Sequence, residues 1–227
     1  MTTETAIELV VVSTGYNAPT ADRCRASVKG QVGVGHVQHI YVEAGEQDPP
    51  HATLANLCHA IDSVPRDAVI VWLDGDDWLA RVDALRTVAA VYVDPAAWLT
   101  YGSFQFSDGR PGFAQAYTDA EWRHVRRAPW KATHLRTFRA QLFHRIDRTR
   151  DFMVNGVWEM RCEDLAVMWP LLEMAGPQHS AFISETLCVY NLADSFEFSA
   201  TAANLAREKE RRLYLEQLQP YRRVEAL

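Results

Sequence analysis

Three groups of residues in this 227-residue chain have the types and spacing to do chemistry. The first is Asp74-Gly75-Asp76-Asp77, which abruptly ends the apolar run Val69-Ile70-Val71-Trp72-Leu73. Three carboxylates crowded around one glycine repel one another. Oxygen ligands suit a hard divalent cation, Mn2+ or Mg2+, and such a cation commonly bridges to phosphate oxygens. The other reading of the same residues is a solvated acidic turn that caps the next helix. The second group is Glu163-Asp164, at the start of an apolar, helix-like stretch. A carboxylate there can take a proton from an attacking hydroxyl, although two acids at a helix start also simply favour the helix dipole. The third is a basic tract. Between Trp122 and Arg150 stand Arg123, Arg126, Arg127, Lys131, Arg136, Arg139, Arg145, Arg148 and Arg150, against one acid, Asp147. It is either a solvated helical face or a patch for a phosphate-bearing ligand, a donor diphosphate or an anionic acceptor.

The elements that must position these groups follow from the hydrophobic pattern. Ile7–Ser13, His39–Glu43 and Val69–Leu73 read as strands, and Pro19–Gln31, Ala52–Ile61 and Asp83–Tyr92 as helices, with Trp98–Tyr101 a fourth strand. This alternation is that of a parallel sheet wrapped by helices, which binds its ligands at the C-terminal ends of the strands. Arg161–Gly176 predicts a helix with a kink or break at Pro170. Ala181–Ile183 and Leu187–Asn191 predict two short strands. Ala202–Leu218 predicts a charged helix with an apolar stripe at Leu205, Leu213 and Leu218, for packing on the domain or on a partner such as a second copy.

Composition and missing signatures narrow the chemistry. A net charge of -6 gives no global attraction to nucleic acid or anionic membrane, and 48% hydrophobic residues suffice for a sizeable core. Cys24, Cys58, Cys162 and Cys188 are scattered with no CxxC pair, the pattern of reduced thiols in a cytoplasmic protein. No apolar run approaches the roughly 20 residues of a membrane span, and the polar start Met1–Glu8 is unlike a signal peptide. No GxGxxG follows a strand, and GxxxxGK[ST], GxSxG and HExxH are absent. Carboxylates at strand ends therefore remain, a combination suited to a metal-assisted reaction of a nucleotide.

The chain resembles the GT-A fold glycosyltransferases, most closely family 2, from about Leu9 to Asn191. Ser13-Thr14-Gly15-Tyr16-Asn17 is similar to the family's loop at the nucleotide base and ribose, without the usual proline before the threonine. Val42-Glu43-Ala44-Gly45 is similar to the turn whose first acid contacts the base, and Ala55-Asn56 to a small-Asn step. Leu73-Asp74-Gly75-Asp76-Asp77 resembles the DxD metal motif, and Glu163-Asp164 the "ED" motif whose aspartate is the catalytic base.

The resemblance implies an α/β GT-A (Rossmann-like) fold, with a mixed, mostly parallel sheet flanked by helices. Residues 1–195 would be the transferase domain, with 1–102 binding the nucleotide-sugar and 103–195 the acceptor, and 196–227 a C-terminal helical extension. It implies an inverting transfer from a nucleotide-diphospho-sugar, a UDP-sugar by the base-contact motif, to a glycan or small-molecule acceptor. Ser13, Thr14, Tyr16, Asn17, Glu43, Asn56, Asp74 and Asp76 would bind the donor, Asp76 and Asp77 the metal, and Asp164 with Glu163 would carry the proton chemistry. Trp130, His134 and Arg136 would lie on the acceptor side. Three readings compete with it: transfer to a hydroxylated base of a nucleic acid seated on the basic tract, a nucleotidyltransferase, and a non-catalytic sugar-binding module.

Overall fold

The computed structural model describes residues 7–16, 19–44, 52–159, 161–192 and 201–227. The first strands are β1 (Leu9–Tyr16), β2 (Val37–Ala44), β3 (Val69–Trp72), β4 (Trp78–Leu79) and β5 (Leu99–Phe106). They are followed by β6 (Arg136–Arg139), β7 (Met153–Val154), β8 (Val157–Trp158) and β9 (Ser180–Tyr190). The helices are α1 (Pro19–Lys29), α2 (Ala52–Asp62), α3 (Ala84–Tyr92), α4 (Asp119–Trp122), α5 (Ala140–Phe143), α6 (Arg148–Phe152), α7 (Glu163–Ala175) and α8 (Ala202–Gln217).

Seven strands form one sheet in the order β2-β1-β3-β6-β5-β9-β4, and β7 and β8 form a separate hairpin. β1 pairs in parallel with both β2 and β3, and β5 in parallel with β9. β6 runs antiparallel to both of its neighbours, and β4 antiparallel to β9. The result is a mixed, mostly parallel sheet flanked by helices, as the family resemblance implies; the hydrophobic pattern alone predicts a parallel sheet, and the antiparallel β6 and β4 depart from it. Val10, Val12, Ile70 and Trp72 point to a core shared with α2 and α7, and Leu9, Val11, Val69 and Val71 to a second core with α1 and α3. Burial on both faces is why these strands read as continuous apolar runs rather than alternating ones.

Four elements differ from the sequence expectation. β5 continues to Phe106, because Phe104 packs into the core and the strand pairs along its length with β9. The two short strands expected near Ala181 and Leu187 are one strand, β9, whose register slips beside Gly102 and Ser103; that irregularity is what interrupts the hydrophobic pattern. α7 runs unbroken through Pro170. Every residue from Leu165 to Leu172 is buried, so packing offsets the lost hydrogen bond. On α8 the buried residues are Arg211 and Leu215, while Leu205 and Leu213 of the expected apolar stripe are exposed.

Candidate functional site

The topology brings the chemistry-bearing residues to one edge. Because β6 is antiparallel to β3, its first residue pairs with the last of β3, Arg136 opposite Trp72. His134 and Arg136 thus enter the sheet where the aspartate loop leaves it. β9 ends beside β4, with Val189 opposite Trp78. This places the Asn191 N–H against Asp77, donating to its carboxylate at 2.8 Å. The loops after β1 and β3 touch: the Gly75 N–H donates to the Thr14 carbonyl at 3.0 Å, and the Tyr41 hydroxyl to the Gly75 carbonyl at 3.1 Å. A Cβ on Gly75 would lie 2.6 Å from that hydroxyl and 2.8 Å from the Thr14 carbonyl, so this contact requires glycine.

At the centre, Asp74, Asp77 and His134 each offer one ligand atom, all within 4.8 Å of one another. His134 Nε2 lies 2.9 Å from Asp74 and 3.5 Å from Asp77. Its Nδ1 is held by the Thr133 hydroxyl at 2.8 Å, and its ring packs edge-on against Phe104 and Tyr190. The side chain of Arg136 is fully buried and spans two acids. One nitrogen donates to Asp74 at 2.6 Å, the other to Asp164 at the first turn of α7. The guanidinium lies 3.9 Å from the centre of the Trp72 ring, and its Nε has no partner among the described residues. Asp74 and Asp164 keep 31% and 33% of their side-chain surface, so both remain partly open to solvent.

This arrangement drives the acids apart in proton affinity. Burial raises the Asp74 carboxyl, but Arg136 and His134 outweigh it and hold Asp74 well below the usual carboxylate range. Asp77 moves the opposite way. Burial first, then the charges of Asp74 and Asp76, push it well above that range, with the Asn191 N–H pulling back. Burial, Asp164 and Asp74 likewise push Glu163 up. Arg136 stays charged, because Asp164 and Asp74 more than compensate its loss of solvent. Carboxylates separated in this way are typical of sites that divide acid and base roles. Two carboxylate oxygens and one imidazole nitrogen fit a divalent cation such as Mn2+.

The other residues singled out in the sequence spread around this centre. Ser13 is buried, 3.1 Å from His39 and 3.5 Å from the Cys24 sulfur. The Thr14 hydroxyl is buried without a partner among the described residues. Tyr16 ends β1 opposite Ala44, and Asn17 lies outside the described residues. Glu43, at the end of β2, is exposed and ion-paired with Arg25. Asn56 is half-buried on α2. Asp76 is half-buried in the aspartate loop, outside the three-residue cluster. Trp130 is not brought to the cluster; its ring meets Trp169 of α7 edge-on at 6.3 Å. The basic tract is largely consumed internally. Arg126 binds Glu173, Lys131 Glu121, Arg148 Asp62 and Arg150 Asp151, while Arg139 and Arg145 donate to backbone carbonyls. The sequence alone gives no sign of Tyr41 or the Asn191 N–H, since each enters through strand pairing rather than a motif. The four cysteines are free thiols, and no helix among the described residues is long and apolar enough to cross a membrane.

No family model and no curated protein matches the sequence. Solved structures are nonetheless similar in fold. S. aureus TarS matches 82% of this chain at 9% identity with a TM-score of 0.53, and this chain spans 37% of that one. The mannosyltransferase PcManGT from Pyrobaculum calidifontis, solved with GDP-Man and Mn2+, matches 96% of this chain at 13% identity with a TM-score of 0.56; 67% of its own length is covered. The chain therefore shares its fold with these two structures.

Proposed function

We propose that this protein is a metal-dependent glycosyltransferase of the GT-A type, resembling family 2. It would move a sugar from a nucleotide-diphospho-sugar to an acceptor hydroxyl on a glycan or small molecule, with inversion. The observation that supports this most is the convergence of Asp74, Asp77 and His134 with Asp164, through Arg136, at the edge where β3 ends and β6 begins. The fold it shares with a mannosyltransferase bound to GDP-Man and Mn2+ supports it independently.

In this reading Asp74, Asp77 and His134 would hold the cation, with Asp76 in the same loop. When bound, a divalent cation there supplies charge that stabilises a departing diphosphate. Asp164 takes the proton of the acceptor hydroxyl. That oxygen bonds to the anomeric carbon as the bond from carbon to the diphosphate oxygen breaks on the opposite face, and the electron pair leaves with the nucleotide. Arg136 keeps Asp164 aimed and adds positive charge where the diphosphate departs, in a site partly shielded from water. Glu163, pushed toward its protonated form, leaves Asp164 as the base. Ser13, Thr14, Tyr16, Asn17, Glu43 and Asn56 would line the nucleoside side, within a donor half of residues 1–102.

The resemblance implies a uridine donor and the structural neighbour contains GDP-Man, so the test carries both. Thermal unfolding with Mn2+ and a panel of UDP- and GDP-sugars should show one donor raising the midpoint only when metal is present, since a ligand bound to the native state stabilises it by mass action. D77A and H134A should each weaken Mn2+ binding in calorimetry. A Mn2+ affinity unchanged in both, or no stabilisation by any donor, would overturn the assignment.

A further inference from the structure

Two arginines of the basic tract, Arg123 and Arg127, are not consumed by the fold: their guanidinium groups make no ion pair or hydrogen bond among the described residues. The third such group near them is Arg223, from the C-terminal tail. All three line one cavity of about 350 Å³ at the far end of α7. That end is roughly 18 Å along the helix from Asp164, at 1.5 Å per residue, so the cavity is separate from the aspartate cluster.

The cavity is a built feature of the fold. Its wall is the tail, pinned to the end of α7 by the Val224 N–H donating to the Met174 carbonyl at 2.9 Å and the Tyr221 N–H donating to Glu173 at 3.0 Å. The two acids that line it are already neutralised, Glu173 by Arg126 and Glu216 by Arg212. Three cations that have no counterion among the described residues therefore line one concavity in a chain of net charge -6. A concave, partly apolar wall focuses such a field on whatever enters. Trp122, Leu172, Leu218 and Tyr221 supply the apolar surface. Gly176 leaves room for Arg223, whose Nε would lie 3.0 Å from a Cβ at that position.

We propose that this cavity is a second binding site, for a small organic phosphate: arginines grip the phosphate oxygens and the apolar wall seats the organic part. Guanidinium forks match phosphate geometry, and the volume suits a small molecule. The proposal does not depend on the transferase reading.

The test uses the full chain with EDTA, so that a metal-dependent donor site stays silent, and two probes, inorganic phosphate and phenyl phosphate. Binding is followed by calorimetry and by tryptophan fluorescence, with W122F locating the signal. Phenyl phosphate should bind saturably and at least about tenfold tighter than inorganic phosphate, the effect of roughly 1.4 kcal/mol of added apolar contact. R127A/R223A should lose at least about tenfold, as expected when charge-assisted hydrogen bonds are removed, with an unchanged unfolding midpoint because both residues are exposed. D164N should bind phenyl phosphate like the parent protein. Equal affinity for the two probes, no saturable binding, or full binding by R127A/R223A would overturn the proposal. So would a loss of binding confined to D164N.

Discussion

The two ends of α7 solve the same problem in opposite ways. Each buries an arginine against carboxylates. At the C-terminal end Arg126 is matched on every side. It donates to both oxygens of Glu173 at 2.8 Å and to the Leu215 carbonyl at 2.8 Å. Arginine and glutamate are 3% and 6% exposed. At the N-terminal end Arg136 is equally buried, but its partners Asp74 and Asp164 belong to different elements and remain about one-third open to solvent. The first pair is sealed by its own partners: both carboxylate oxygens are taken by the arginine, and one also accepts from the Tyr221 N–H. The second is a pair of acids held ready around a fixed cation, with oxygens still free to act. Burial of the arginine does not separate structure from function; exposure of its acids does.

The sharpest way to break this contrast is Asp164→Asn. At the open end it should cut sugar transfer by about 10² to 10⁴, the range for loss of a general base, with donor affinity nearly unchanged in calorimetry. Turnover at the parent rate would remove Asp164 from the chemistry. The matching change at the sealed end is Glu173→Ala. It strands a buried guanidinium and should lower stability by about 3–5 kcal/mol in urea unfolding, while transfer per folded molecule is retained. A cost under about 1 kcal/mol, the level of a surface pair, would show that the sealed end is not sealed.

Gly75→Ala is a smaller perturbation of the open end. The added methyl must displace the Tyr41 hydroxyl or the Thr14 carbonyl, at about 1–3 kcal/mol for overpacking. Because the aspartate loop moves with it, Mn2+ affinity should fall together with stability. Stability falling alone would mean that the proposed metal ligands do not depend on the contact between the two loops.

The smallest effect concerns His39, which reaches Ser13 across β1 and β2. Burial, then the charge of Arg25, lowers its pKa from 6.5 to about 4. The unfolded chain therefore takes up a proton between these values while the native state does not. The stability that His39 contributes is complete above pH 6.5 and is lost as pH falls toward 4. One proton sets a ceiling of about 1.4 kcal/mol per pH unit, and solvent around a half-buried ring reduces it. H39Q should flatten the pH dependence of the unfolding midpoint in that window; an unchanged slope would remove His39 as its source.

Much of the fold was legible because its signals are local. β-branched runs buried on both faces, helices with apolar faces, and acids placed where an apolar run stops all follow from residue type and spacing. The aspartate loop and Glu163-Asp164 stood out for the same reason. Irregular elements were not legible. The slip in β9 and the continuity of α7 through Pro170 depend on what packs beside them, and a window of ten residues does not contain that information.

The sequence by itself determined the chemistry on offer: three carboxylates at a strand end, two more at a helix start, and an excess of arginine between. Tertiary structure decided which of these meet. An antiparallel β6 beside β3 carries His134 and Arg136 to the acids, although 60 and 62 residues separate them from Asp74. The same folding divides the basic tract, neutralising most of it internally and leaving Arg123 and Arg127 at a cavity that the C-terminal tail completes. Charge is a property of residues, but whether a charge is spent inside the fold or left for a ligand is set by which strands pair and which helices pack.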